Sequence, residues 1–135
     1  MNTRKGFTLV ELLVVIAILA ILATVSVVGY TSFITDANNS VAMQELTQIR
    51  DAVIAEDINN NSITLNSTGL LYKGTGDTAA DAITAAEFKA LVESLNLGLT
   101  FTDSSFTVSG AVITYTAPNG GVATWDTASG KVVAQ

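Results

Sequence analysis

Glu11 is the single charged side chain between residues 7 and 28 of this 135-residue chain, and everything around it there is apolar or a small hydroxyl. A carboxylate in hydrocarbon costs on the order of several kcal/mol unless it finds a partner, a proton or a route to the interface. A cation is the partner that would retain its charge. Arg4 and Lys5 lie just before it, separated from the apolar run by Gly6. The other acids offer weaker cases. Asp51, Glu56 and Asp57 fall near the end of a helical pattern, and Asp77 and Asp81 flank a polar loop. Paired carboxylates can do acid–base chemistry, but solvated acidic faces are the commoner use of such groups. The chain has no histidine and no cysteine, which removes nucleophile–histidine pairs, histidine-ligated zinc, thiolate metal sites and disulfides. No phosphate-binding loop or nucleophile elbow is present either. The expectation is a protein without catalytic residues, cofactor or metal.

The element that carries Glu11 is a helix over residues 7 to 28, about 33 Å long at about 1.5 Å per residue and long enough to cross a bilayer's hydrocarbon core. The basic residues before it hold that end on the cytoplasmic side and send the remainder across. A secretory signal peptide has a shorter apolar core and a small-residue cleavage site. A plain signal anchor accounts for the hydrophobicity and not for Glu11, and a buried core helix has no need of Arg4 and Lys5. The formal charge is −6, with Arg50, Lys73, Lys89 and Lys131 scattered singly, so no basic stripe exists for nucleic acid.

Gly6-Phe7-Thr8-Leu9-Val10-Glu11, with basic residues before and an apolar run after, resembles the prepilin signature of type IV pilins and type II secretion pseudopilins. The resemblance implies removal of a leader, residues 1–6, by a membrane peptidase that cuts after Gly6, followed by N-methylation of Phe7. It also implies that Glu11 pairs with the α-amino group of a neighbouring subunit. Leu9, Val10, Leu12, Leu13, Val14, Val15, Ile16, Ile18 and Leu19 would then lie in a filament core. Many relatives have proline where this chain has Val28, and glycine is common where it has Ala20. The run from Thr24 through Val28 to Gly29 is rich in β-branched residues and weak helix formers. A bend or local melting at 24–29 is therefore an open possibility.

Residues 29–59 continue the helix in amphipathic form, with Ala42, Leu46, Ile49 and Val53 spaced on one face. One long helix from about 7 to 58 is expected, ending at the polar cluster Asn59-Asn60-Asn61-Ser62. Tyr30 and Phe33 on it read as gap fillers between packed subunits. Residues 60–135 form a globular head. Its first part, 59–82, reads as a connecting loop. Thr84-Ala85-Ala86-Glu87 is a capping box that opens a short helix over about 84–96, with Phe88, Leu91, Val92 and Leu95 inward and Gly98 as its stop. From about 101 to 134 the period is two, in four short runs separated by turn formers. An antiparallel meander should result, with Trp125 in the core and Val132 and Val133 burying the last strand. The fold class is α+β and pilin-like: a long helix on a small antiparallel sheet, with a short second helix. Some pseudopilins hold this region with calcium; Asp103 and Asp126 have no such spacing here.

The resemblance implies a structural subunit, stored as a single-pass membrane protein with its N-terminus cytoplasmic and then polymerised as a helical homo-oligomer into a surface filament. Partners would be the prepilin peptidase and methyltransferase, an inner-membrane assembly platform and minor pilins. A major pseudopilin of a secretion or competence system is the alternative within the resemblance. A monomeric membrane-tethered binding module is the alternative outside it.

Overall fold

A computed structural model describes residues 5–60, 63–66, 68–74 and 81–135, with side chains in the first segment described as far as residue 57. Arg4 and Asp77, weighed above, lie outside the described residues. The element order is α1 (Leu9–Asn60), β1 (Ile63–Leu65), β2 (Leu71–Lys73), α2 (Ala85–Ser94), β3 (Phe106–Ser109), β4 (Val112–Thr116), β5 (Val122–Asp126) and β6 (Lys131–Ala134). The fold is α+β, as the change of period from helical to alternating implied. The chain divides into two compact units, Met1–Ile34 and Thr35–Gln135.

In the first unit α1 is apolar all round. Its leucines, valines and isoleucines from Leu9 to Val28 are exposed, a condition that a helix tolerates in lipid or against other chains rather than in water. The same helix becomes one-sided in the second unit. There Ala42, Leu46, Ile49 and Val53 are buried to 1% exposure or less and form one wall of the core.

The facing wall is a four-stranded antiparallel sheet in the order β3-β4-β5-β6. Its alternation puts Phe106, Ile113, Tyr115, Ala123 and Trp125 inward. Phe106 is the hub of an aromatic cluster, 5.1 Å from Phe88 of α2 edge-on, 5.1 Å from Phe101 and 5.3 Å from Tyr115 between ring centres. The Tyr115 hydroxyl donates to Glu45 of α1 at 2.8 Å, and burial, together with that carboxylate, raises its pKa above the ordinary tyrosine value. Val132 packs on the core, but Val133 is 38% exposed. The expected burial of both cannot hold, because consecutive strand residues face opposite sides of a sheet.

The stretch read as a connecting loop contains a hairpin instead. β1 and β2 pair antiparallel, with Ile63 opposite Lys73 and Leu65 opposite Leu71, and Ile63, Leu71 and Tyr72 are buried. The chain returns at Ala82, which bridges to Tyr72. α2 opens on the expected box: Thr84 and Glu87 exchange hydrogen bonds, and Lys73 adds an ion pair to Glu87 at 2.6 Å. The stop is Asn96, whose φ of 52° takes the left-handed conformation two residues before Gly98. Asparagine is the residue after glycine best suited to it.

No disulfide is available to secure the C-terminal strand, and two side chains of α1 hold its ends. Asn39 donates to the carbonyl of Gln135 and accepts from Val122 N at 2.9 Å. Arg50 donates to the Gly130 carbonyl at 3.1 Å. Beside Asn39, a Cβ on Gly121 would fall on the carbonyl of Asn38, so only glycine allows this approach.

Two measurements test these ties on the full chain in detergent. Asn39→Leu leaves the Val122 amide and Gln135 carbonyl without their partner, and urea unfolding should show a loss of about 1–3 kcal/mol. An unchanged midpoint would remove Asn39 from the stabilising set. The Lys73 ammonium, with the Thr84 amide and hydroxyl, lowers Glu87 from its ordinary 4.5 to about 2. Its folded value is thus below its unfolded one, so its contribution is complete above about 4.5 and is lost as pH falls toward about 2. Glu87→Gln should flatten the acid limb of thermal stability in that window, lowering the neutral melting temperature and leaving the one near pH 2 almost unchanged.

Candidate functional site

Residues Lys5 to Thr8 have no regular structure, and α1 begins at Leu9. The start is fixed by Thr8. Its carbonyl accepts from Leu12 N at 3.2 Å, the first bond of the helix. Its hydroxyl accepts from Glu11 N at 3.3 Å, while the Glu11 carboxylate takes the Thr8 amide at 2.8 Å and the Thr8 hydroxyl at 2.9 Å. This is a second capping box, with the same Thr-x-x-Glu spacing as Thr84 and Glu87. The helix therefore starts two residues later than expected. The Thr-x-x-Glu spacing is present in the sequence, but a charge in an apolar run is the stronger signal there and carries no sign of the hydrogen bonds to Thr8.

The box gives Glu11 a local set of donors at the positive end of the helix. A carboxylate in the third helical position needs no second chain to satisfy its oxygens. What the box lacks is a full counter-charge, because an amide and a hydroxyl carry only partial ones.

Gly6, Phe7 and Glu11 come together with Lys5 and Thr8 around one shallow, open recess. The Phe7 ring is 92% exposed. A Cβ on Gly6 would meet nothing within 4 Å, so the chain's own packing does not demand glycine there. The Gly6–Phe7 peptide lies in the non-helical lead-in, outside the helical hydrogen-bond ladder, which begins at the Thr8 carbonyl.

From Leu9 to Leu19 the expected core side chains, Val10, Leu12, Leu13, Val14, Val15, Ile16 and Ile18 among them, are all exposed on α1. Beyond them the helix runs unbroken through Thr24, Val28 and Gly29. Two hydroxyls bond back along it: Thr24 to the Ile21 carbonyl at 2.7 Å and Ser26 to the Leu22 carbonyl at 2.8 Å. Such bonds compete with the helical ladder and weaken it. Tyr30 and Phe33 are exposed as well.

Several of the remaining acids are engaged at the surface. Asp51 pairs with Arg50 at 2.7 Å and Asp103 with Lys89 at 2.8 Å, which lowers Asp103 below its usual range. Asp126 closes the β5–β6 turn on Ser129 and the Ala128 amide, and is lowered for that reason. Among the described residues no three acidic, histidine or cysteine side chains are grouped to hold a metal.

Residues 1–27 match the family described as the prokaryotic N-terminal methylation motif. This is the class III signal peptide of type IV pilins and pseudopilins. The first 27 residues are thus similar to the N-terminal segment of pilin-like proteins, and the apolar helix is long enough to cross a membrane. No curated protein and no solved structure matches the chain.

Substitutions separate the two roles open to Glu11. Glu11→Gln keeps an acceptor for the box, whereas Glu11→Ala removes it. Hydrogen exchange at the amides of residues 9–12 in detergent micelles should be near normal in the first and clearly faster in the second. Equal exchange in both would show that the box does not set the start of α1.

Proposed function

We infer that this protein is the structural subunit of a type IV pilus, stored in the membrane through α1 and polymerised after its leader is removed. The observation that supports this best is the placement of Glu11. It is held within one turn of the Gly6–Phe7 peptide, in a helix whose other neighbouring side chains are apolar. Cleavage after Gly6 turns the Phe7 amide into an amine. It also removes Arg4 and Lys5, the basic anchor at the cytoplasmic face, and leaves the chain more acidic by two charges. An amine supplies the full positive charge that the capping box lacks, and in a filament it comes from the neighbouring subunit. Assembly is then the step that completes the pair.

The exposed side chains from Leu9 to Leu19 form the filament core in this reading, and N-methylation falls on Phe7. Subunits related by a head-to-tail operation that does not close give a helical polymer. The stretch from Thr24 to Gly29, with its back-bonded hydroxyls and β-branched residues, is the part of α1 that would bend or melt on packing. The peptidase and methyltransferase, an assembly platform in the inner membrane and minor pilins are the partners. The protein acts as their substrate and is not an enzyme. Its precursor has the N-terminus in the cytoplasm, and the assembled form lies outside the cell.

Electron microscopy of sheared surface material, with mass spectrometry of its N-terminus, tests this directly. Thin filaments whose subunits begin at methylated Phe7 are expected. Glu11→Gln and Glu11→Ala should both reach the membrane and both fail to yield filaments, because each lacks the charge. An intact Met1 in assembled material sinks the processing step. Normal filaments from Glu11→Gln would sink the charge pair, and a wild-type chain that stays in the membrane and forms no polymer would favour a membrane tether.

A further inference from the structure

The tripeptide Asn-x-Ser/Thr, with x other than proline, is the acceptor pattern for N-linked glycosylation of exported chains. It occurs at Asn38-Asn39-Ser40, Asn60-Asn61-Ser62 and Asn66-Ser67-Thr68. The first is closed off by structure. Asn38 lies inside α1, its side-chain amide donates to the Asn119 carbonyl at 3.1 Å, and its own carbonyl is pressed against Gly121. The side chain of Asn60 lies outside the described residues.

Asn66 is placed differently, in the short connection between β1 and β2. Its Oδ1 accepts three hydrogen bonds: from Thr68 N at 3.0 Å, the Thr68 hydroxyl at 2.7 Å and Leu70 N at 2.9 Å. The loop is closed beneath it by Asn66 N to the Leu70 carbonyl at 3.1 Å and Gly69 N to the Asn66 carbonyl at 3.0 Å. Gly69 is held at a φ of 81°, where a Cβ would overlap Ala128. The arrangement has the bonds of an Asx-turn, with the acceptor oxygen engaged by three donors. Its nitrogen is not: Nδ2 makes one long contact, 3.3 Å to the Tyr72 hydroxyl.

That asymmetry bears on reactivity. A side-chain amide nitrogen is a poor nucleophile until it loses a proton, and the resulting negative charge resides largely on oxygen. Three donors aimed at that oxygen stabilise the charged form, as the donors of an oxyanion hole do. Thr68 supplies two of the three, and its hydroxyl is the one the acceptor pattern requires.

We propose that Asn66 is an N-glycosylation site, with a polyprenyl-pyrophosphate-linked sugar as donor. Nδ2 forms a bond to the anomeric carbon, the bond from that carbon to the pyrophosphate oxygen breaks, and the pyrophosphate leaves with the electron pair. The amide proton passes to a base on the transferring enzyme, and nothing is oxidised or reduced. The proposal rests on the reading above that residues beyond α1's apolar half are exported.

The full chain, made in the organism that produces it, is measured by intact mass and by peptide mapping. A sugar increment on Asn66 is expected, absent in Thr68→Ala, restored in Thr68→Ser and unchanged in Ser62→Ala. A chain that starts at Phe7 and carries no sugar on Asn66 overturns this proposal and leaves the filament reading standing. A sugar on Asn66 in a chain that still starts at Met1 does the reverse. An increment that survives Thr68→Ala, or maps to Asn38 or Asn60, also overturns it.

Discussion

A carboxylate three residues into an apolar helix has to be satisfied wherever the helix goes, and the rest of the N-terminal unit follows from how that is done. Thr8 gives Glu11 two donors and receives one bond in return. The hydrogen-bonding need is thereby met within one chain, and only the need for opposite charge is left over. The division matters physically. A group with no partner at all would keep the chain from resting in a membrane, and one already paired with a full cation would give no reason to associate. A capped carboxylate lies between those limits.

α1 is one helix that serves two environments, and its sequence changes character to do so. Up to Val28 the side chains are apolar on every side, so burial must come from lipid or from other chains. From Ala42 the apolar residues narrow to a stripe, and that stripe meets the inner face of the sheet. Within the apolar part, Thr24 and Ser26 turn their hydroxyls back on the helix, and Gly29 follows just beyond it; all three are weaker helix formers than the leucines around them.

What could be read in advance was what is local. The strands β3–β5 show alternation, all four strands of the sheet are separated by glycine-bearing turns, and α2 carries its start signal in four consecutive residues. The Ala42–Val53 stripe depends on spacing alone. The β1–β2 hairpin escaped because three-residue strands embedded in Asn, Ser, Thr and Gly have no period to detect. Asn96 was passed over for Gly98 because glycine is the stronger stop signal, although the helix had already ended. The candidate site was legible as a pattern in Gly6, Phe7 and Glu11. Its geometry was not, since the Thr8–Glu11 bonds exist only once the first turn of α1 has formed.

The tie between α1 and the sheet's last strand had no sequence signal of any kind. Asn39 reaches residues 83 and 96 positions away, and Arg50 reaches one 80 positions away. Each is an ordinary polar residue on a helix until the fold brings the strand ends to it. Their placement at opposite ends of β6 explains how an edge strand with one inward side chain, Val132, stays in register without a covalent link. Hydrophobic burial cannot do this alone, because a slip along β5 would exchange Val132 for the equally apolar Val133. The carbonyls of Gly130 and Gln135 cannot both meet their donors in any shifted register. The polar ends thus set the alignment that the apolar middle leaves undetermined.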